Sequence, residues 1–178
     1  MKTYIITALF TLSCLGAQAA VYTASGPIVN PANGHTYYLL GPGTWTESEA
    51  YAQTLGGHLA TINDAAENAW VFANVNSGPT MIPWIGLNDS NADGIWTWSS
   101  GEPVTYLNWA PGEPNFLPEF PHYFVNIYAQ NTAYAGQWNN SPDSDVLYGI
   151  AEVVPEPSAL AMVVLGAVGY IARKRRSA

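Results

Sequence analysis

The chain has 178 residues, which fits one domain plus short terminal tags at the usual scale of about 100–200 residues per domain. Its five basic residues sit at the two ends, so residues 20–154 hold twelve carboxylates and no Lys or Arg, a net charge near −12 with neutral histidines. Such a segment has no basic stripe to neutralise phosphates, which excludes a nucleic-acid partner and leaves cations from outside as the natural counterparts of its carboxylates.

Residues 1–19 read as a secretory signal peptide. Lys2 supplies the positive start, Tyr4 to Gly16 the mainly apolar run, and Ala17-Gln18-Ala19 a small-x-small cleavage site. The single cysteine, Cys14, lies inside that run, so no intrachain disulfide is expected. The roughly 130 residues that follow are enough to bury a core without one. Thr11 stands where a lipoprotein signal has Leu, which argues against a lipidated Cys14.

Residues 20–154 read as one domain. Thr46-x-x-Glu49 has the form of a capping box, and it opens a helical pattern (Ala50, Tyr51, Thr54, Leu55) that Gly56-Gly57 stops. Asp64-x-x-Glu67 opens a second one through Trp70, Val71, Ala73 and Asn74, with Gly78-Pro79 beyond it. The signals then change to strands. Trp84-Ile85-Gly86-Leu87 reads as a short buried strand, and Ile95-Trp96-Thr97-Trp98 alternates, placing Trp96 and Trp98 on one face. A loop rich in Gly, Pro and Asn runs from Ser99 to Pro121, and Trp109 within it needs something to pack on. Tyr123 to Tyr128 and Tyr148 to Val153 read as the remaining strands. Two helices followed by short strands and a long irregular loop make an α+β domain.

The last part, residues 155–178, has three components in order. The rigid Val154-Pro155-Glu156-Pro157 leads into an apolar stretch from Ser158 to Ala172, then into Arg173-Lys174-Arg175-Arg176. Basic residues beside an apolar span stay on the cytoplasmic side. Fifteen residues of helix cover roughly 22 Å, short of a hydrocarbon core of about 30 Å, so the span crosses a membrane with help from Val153 and Val154 or serves transiently. An ordinary tail anchor is the plainer alternative. The order of parts resembles the PEP-CTERM sorting signal. That resemblance implies recognition by an exosortase in a Gram-negative bacterium that exports polysaccharide, with passage through the inner membrane to the cell surface or a biofilm matrix.

The middle resembles the C-type lectin domain on a set of short pieces in the right order. They are Gly56-Gly57-His58-Leu59-Ala60-Thr61-Ile62, Trp84-Ile85-Gly86-Leu87, Trp96-x-Trp98, Gly101-Glu102-Pro103, Asn108-Trp109, Gly112-Glu113-Pro114-Asn115, Trp138-Asn139-Asn140 and Ala151-Glu152. The implied fold is two helices packed on short antiparallel strands with a long irregular binding loop. The family's long-range disulfide would join the positions of Ala52 and Ala151, and Phe124 stands where another family cysteine would be, so a cysteine-free variant is expected.

The resemblance also implies a ligand site. In the family, Glu-Pro-Asn binds a vicinal pair of sugar hydroxyls through a calcium ion, which takes about 6–8 oxygen ligands. It goes with mannose- or glucose-type sugars, and the proline bond is cis. Carried over, Glu113, Asn115 and Asn139 match. Asn140 replaces an Asp and loses its charge. The family's next acidic ligand falls on His122, with Glu119 the nearby carboxylate to take its place. The set keeps one or two charged ligands out of three, so calcium binding is expected to be weak or absent. Asp89 and Asp93 match two carboxylates of the family's accessory calcium site, whose next carboxylate is replaced by Phe116. Trp84 and Trp98 are expected in the core, and core packing is the simpler expectation for Trp109 and Trp138. His35, His58 and His122 have no metal spacing among themselves and are expected to be structural or on the surface.

These residues lead to a carbohydrate-binding protein, calcium-assisted or not, with carbohydrate or exopolysaccharide as its partner. A lectin-fold component of the matrix that binds protein, or nothing, without sugar or calcium stays open. No nucleophile–histidine–acid grouping with a supporting motif, phosphate loop or zinc spacing is present, so an enzyme is not expected.

Overall fold

A computed structural model of the chain describes residues 20–76, 78–116 and 123–155. The signal peptide, the sorting tag beyond Pro155, and the loop residues Glu119 and His122 lie outside them. In chain order the elements are β1 (Thr23–Val29), β2 (Thr36–Gly43), α1 (Trp45–Thr54), β3 (His58–Leu59), α2 (Ala65–Asn74), β4 (Pro83–Asp89), β5 (Thr97–Trp98), β6 (Tyr123–Ile127), β7 (Trp138–Ser141) and β8 (Leu147–Val153). All strands belong to one sheet in the order β1-β2-β8-β4-β6-β7, with β3 also on β8 and β5 also on β4. Pairings are antiparallel except β4 with β8, which run in the same direction. The last strand is therefore the joint between the two halves of the sheet.

The sheet is covered on both faces, and the period of two along each strand sorts its residues. Leu39, Ile85, Val125 and Ile150 enter a core shared with Val71 and Val75 from the segment of α2. Their neighbours Leu40, Trp84, Phe124 and Ala151 enter a second core that holds Trp45 and Ala52 of α1. Strands buried on both faces read as continuous apolar runs, which is why Trp84-Ile85-Gly86-Leu87 was legible. Ala52 and Ala151 are both fully buried in the second core. Phe124 packs its ring on Trp45 with centroids 4.6 Å apart. The domain thus holds these positions by apolar packing, without a cross-link.

Both helices form, but the first starts two residues earlier than its sequence suggests. Thr44, not Thr46, is the N-cap, with Glu47 closing the reciprocal capping box. Thr44-x-x-Glu47 and Thr46-x-x-Glu49 are the same pattern shifted by two, and tertiary contacts choose between them. Trp45 buries its indole and donates to the Ile85 carbonyl at 2.8 Å. Thr46 bonds Asp143 instead, through its N–H at 2.9 Å and its hydroxyl at 2.7 Å. Glu49 points inward, where its carboxylate accepts the Leu59 N–H at 2.8 Å and the Ser99 hydroxyl at 3.0 Å and meets His58 Nδ1 at 2.7 Å. The helix stops at Gly56, whose φ of +83° favours glycine. Gly57 lets β3 approach, since a Cβ there would sit 1.9 Å from the Glu152 carbonyl oxygen. For α2, Asp64 caps as expected, accepting the Glu67 N–H at 2.8 Å.

The domain begins with two strands that its sequence did not signal. β1 is a bent, exposed ribbon with register shifts after Thr23 and Ser25, and β2 mixes tyrosines with Gly-Pro-Gly, so neither alternates cleanly. β5 covers only Thr97–Trp98, shorter than the alternating run that predicted it.

Candidate functional site

The long connection from β4 to β6 is docked onto β7 by its own backbone. Trp138 N–H donates to the Asn108 carbonyl at 2.8 Å, and Ala110 N–H donates to the Trp138 carbonyl at 3.0 Å. Trp138 is fully buried and is met edge-on by Trp98, Tyr106 and Trp109 at centroid distances of 5.8, 5.6 and 6.1 Å. Its Nε1 donates to Asn68 Oδ1 of α2 at 2.8 Å. Trp84, Trp98 and Trp138 are core, while Trp109 is half-buried and packs at a tilt against Trp96, with centroids 4.9 Å apart. One tryptophan thus fixes the loop to strand and helix together.

That docking brings Glu113 and Asn115 beside Asn139 and Asn140 of β7. The Glu113–Pro114 peptide is cis. The Asn115 N–H is accepted by Asn140 Oδ1 at 2.9 Å and by Glu113 Oε2 at 3.1 Å. Asn140 Nδ2 donates to the Asn115 carbonyl, so one side-chain amide holds both polar groups of that residue's backbone. Asn139 donates through Nδ2 to Ser141 Oγ at 3.3 Å and lies 3.5 Å from Asn126 Oδ1. The four residues come together as one polar patch.

A fifth member, Tyr128, was not anticipated. Its hydroxyl lies 3.3 Å from Glu113 Oε1 and 3.3 Å from Asn139 Oδ1. Burial, then the Glu113 charge, raises its pKa, so the hydroxyl keeps its proton at neutral pH. Its place follows from the pairing of Asn126 with Asn139, since Tyr128, two residues on, faces the same side.

Asp89 and Asp93 form a separate group at the end of β4. Asp89 is buried and accepts the Asp93 N–H at 3.1 Å and the Gly94 N–H at 3.2 Å. Asp93 accepts the Ile95 N–H at 2.9 Å. Both Asp89 oxygens thus close the turn that follows the strand.

A third polar centre, which no local pattern marks, lies where β2 and β8 meet α2. Glu152 of β8 accepts the Thr61 N–H at 2.9 Å and pairs with His35. Glu67 of α2 accepts the Asn63 N–H at 2.7 Å and the Asn33 amide at 2.8 Å. The Tyr37 hydroxyl bridges the two carboxylates, 2.7 Å from Glu67 and 3.0 Å from Glu152. Burial above all, with the neighbouring Glu67 adding to it, raises the Glu152 pKa above the usual carboxylate value. Burial and Glu152 raise that of Tyr37. His35, Glu67 and Glu152 each offer one ligand atom, mutually within 4.8 Å. His35 and Glu67 border a cleft of about 420 Å³ that Asn63, Asp64 and Trp70 also line. His35 is thus part of a joint between helix and sheet.

The family model of the lectin C-type domain matches residues 42–150, and that of the PEP-CTERM protein-sorting motif matches residues 153–176. Neither describes an enzyme. Human "C-type lectin domain family 17, member A" is 35% identical over 127 residues, covering 68% of this chain and 30% of that protein. The chain therefore spans less than a third of this relative's length. Among solved structures, the carbohydrate-recognition domain of the mouse scavenger receptor C-type lectin is 28% identical with a TM-score of 0.60, covering 68% of this chain and 92% of that one. A calcium-independent type II antifreeze protein is 27% identical with a TM-score of 0.59, covering 71% and 95%. Similar folds thus include one whose description is carbohydrate recognition and one whose description is calcium independence.

Proposed function

The chain belongs to the C-type lectin domain family and carries a PEP-CTERM sorting motif, and from that premise we propose that it is an exported lectin that binds neutral glycans at the cell surface or in the surrounding matrix. The observation that carries this reading is the convergence of Glu113, Asn115, Asn139 and Asn140 on one patch. A carboxylate accepts hydroxyl protons and a side-chain amide both donates and accepts, so the patch can meet two adjacent sugar hydroxyls. The charge supports a neutral ligand. With no Lys or Arg between residues 20 and 154, a uronate or sulfate chain would meet only like charge. The sorting motif supports export, release from the membrane by an exosortase, and an exopolysaccharide as the partner.

A calcium ion in this loop would need about 6–8 oxygens. Glu113 is the one carboxylate among the described residues of the patch. The Asn139 and Asn140 oxygens are neutral amide acceptors, each already meeting an N–H or O–H group. That donor set fits a tightly held calcium poorly. The Asp89 oxygens are likewise engaged by the turn.

An array of neutral and acidic glycans, probed with the full chain, tests the proposal. Mannose- or glucose-type glycans should bind, acidic ones should not, and Glu113→Gln with Asn115→Asp should move preference toward galactose-type sugars. Binding that the double substitution leaves unchanged would place the sugar elsewhere. No glycan binding at all would favour a protein ligand or a structural role in the matrix.

A further inference from the structure

We propose that Tyr128 and Asn140 organise the Glu113–Asn115 loop in place of a metal ion, so that this site takes neutral sugars without calcium; the ligand half of this rests on the glycan reading above.

A cation in such a loop does two things. It draws oxygens from loop and strand to one point, and it cancels their mutual repulsion. The first task falls to the Tyr128 hydroxyl, which lies between a loop carboxylate oxygen, Glu113 Oε1, and a strand amide oxygen, Asn139 Oδ1. Both distances exceed the usual value of about 2.7–2.8 Å, as expected where one proton is shared between two acceptors. Among the described residues of the patch Glu113 is the only charge, so they raise no mutual repulsion for an ion to cancel.

Asn140 completes the arrangement. Its Oδ1 accepts from the Asn115 N–H and its Nδ2 donates to the Asn115 carbonyl. An Asp at this position has two acceptors and no donor, so it could hold only one end. The neutral residue is the one that fits a loop fastened to its own strand. Being 5% exposed, it makes these bonds out of water, where they hold geometry best. Capacity for ligand remains. An ionised carboxylate has about four acceptor positions, and each Glu113 oxygen has one hydrogen-bond contact here.

The test uses the full chain and mannan, a neutral mannose polysaccharide. Wild-type affinity in excess EDTA should lie within about twofold of that in millimolar calcium. Tyr128→Phe should lose about tenfold in EDTA, the effect of removing one hydrogen bond to a charged group, while its far-UV circular dichroism shows the fold retained. Amide hydrogen exchange at Asn115 reads the loop without any ligand. Its protection should be the same in both buffers for the wild type and fall about tenfold in Asn140→Asp. Mannan binding in calcium only, or Asn115 protection in calcium only, overturns the proposal while leaving the glycan site standing. Tyr128→Phe binding like wild type in EDTA also overturns it. No mannan binding in either buffer, with Asn115 protection intact, would sink the glycan reading and keep the metal-free loop.

Discussion

Two centres in this molecule are built from the same chemistry, a glutamate met by a tyrosine hydroxyl and asparagine amides, and they differ in exposure. At the helix joint, Glu67 and Glu152 are both buried, and Tyr37, Thr61, Asn63, Asn33 and His35 use their oxygens up. At the long loop, Glu113 is half-exposed and its partners order it while leaving it open to solvent. What separates a structural carboxylate from one able to bind ligand is therefore exposure, since the residue types are alike.

Removing the carboxylates should separate the two centres by stability first. Glu67→Ala leaves the Asn63 N–H and the Tyr37 hydroxyl without that acceptor in a buried site, and should cost about 2–4 kcal/mol in urea unfolding. Glu113→Ala should cost less than about 0.5 kcal/mol, because Asn140 still accepts the Asn115 N–H, yet it should abolish glycan binding. Equal losses of stability would break the distinction.

A smaller effect sharpens it. The folded chain holds the Glu152 proton more tightly than the unfolded chain does, since burial raises its pKa from the usual 4.5. Its contribution to stability is therefore fully present below pH 4.5 and is lost as the pH rises from there through the folded-state value. Urea unfolding across this range should show a steeper decline for the wild type than for Glu152→Gln, which has no proton to release. Parallel curves would mean that Glu152 titrates in the fold as it does in the unfolded chain.

The parts of this picture that sequence could give were those with a local pattern. Asp64-x-x-Glu67 marked a helix, and the apolar run at Trp84 marked a strand buried on both faces. Thr46 and Glu49 mimicked a cap because the repeat of Thr-x-x-Glu two residues apart is locally ambiguous, and only the burial of Trp45 resolves it. β1 and β2 escaped because a bent, exposed ribbon and a tyrosine-rich strand with Gly-Pro-Gly carry no clean alternation. At the loop, Glu113, Asn115, Asn139 and Asn140 could be named from motifs. Tyr128 could not, because its place depends on the register of β6 against β7. The joint of His35 with Glu152 spans 117 positions of chain, and no local pattern reaches that far.

The position of β8 has a consequence in time. Strands β1 and β2 on one side, and β4, β6 and β7 on the other, meet only through this strand, which is the last to be made. A chain emerging from its N-terminus thus carries two unjoined half-sheets, with Tyr37, Leu39 and Ile85 lacking their Ile150 neighbour, until residues 147–153 arrive. Pairings so distant in sequence are slow to form. Closure of the sheet therefore waits on residues 147–153.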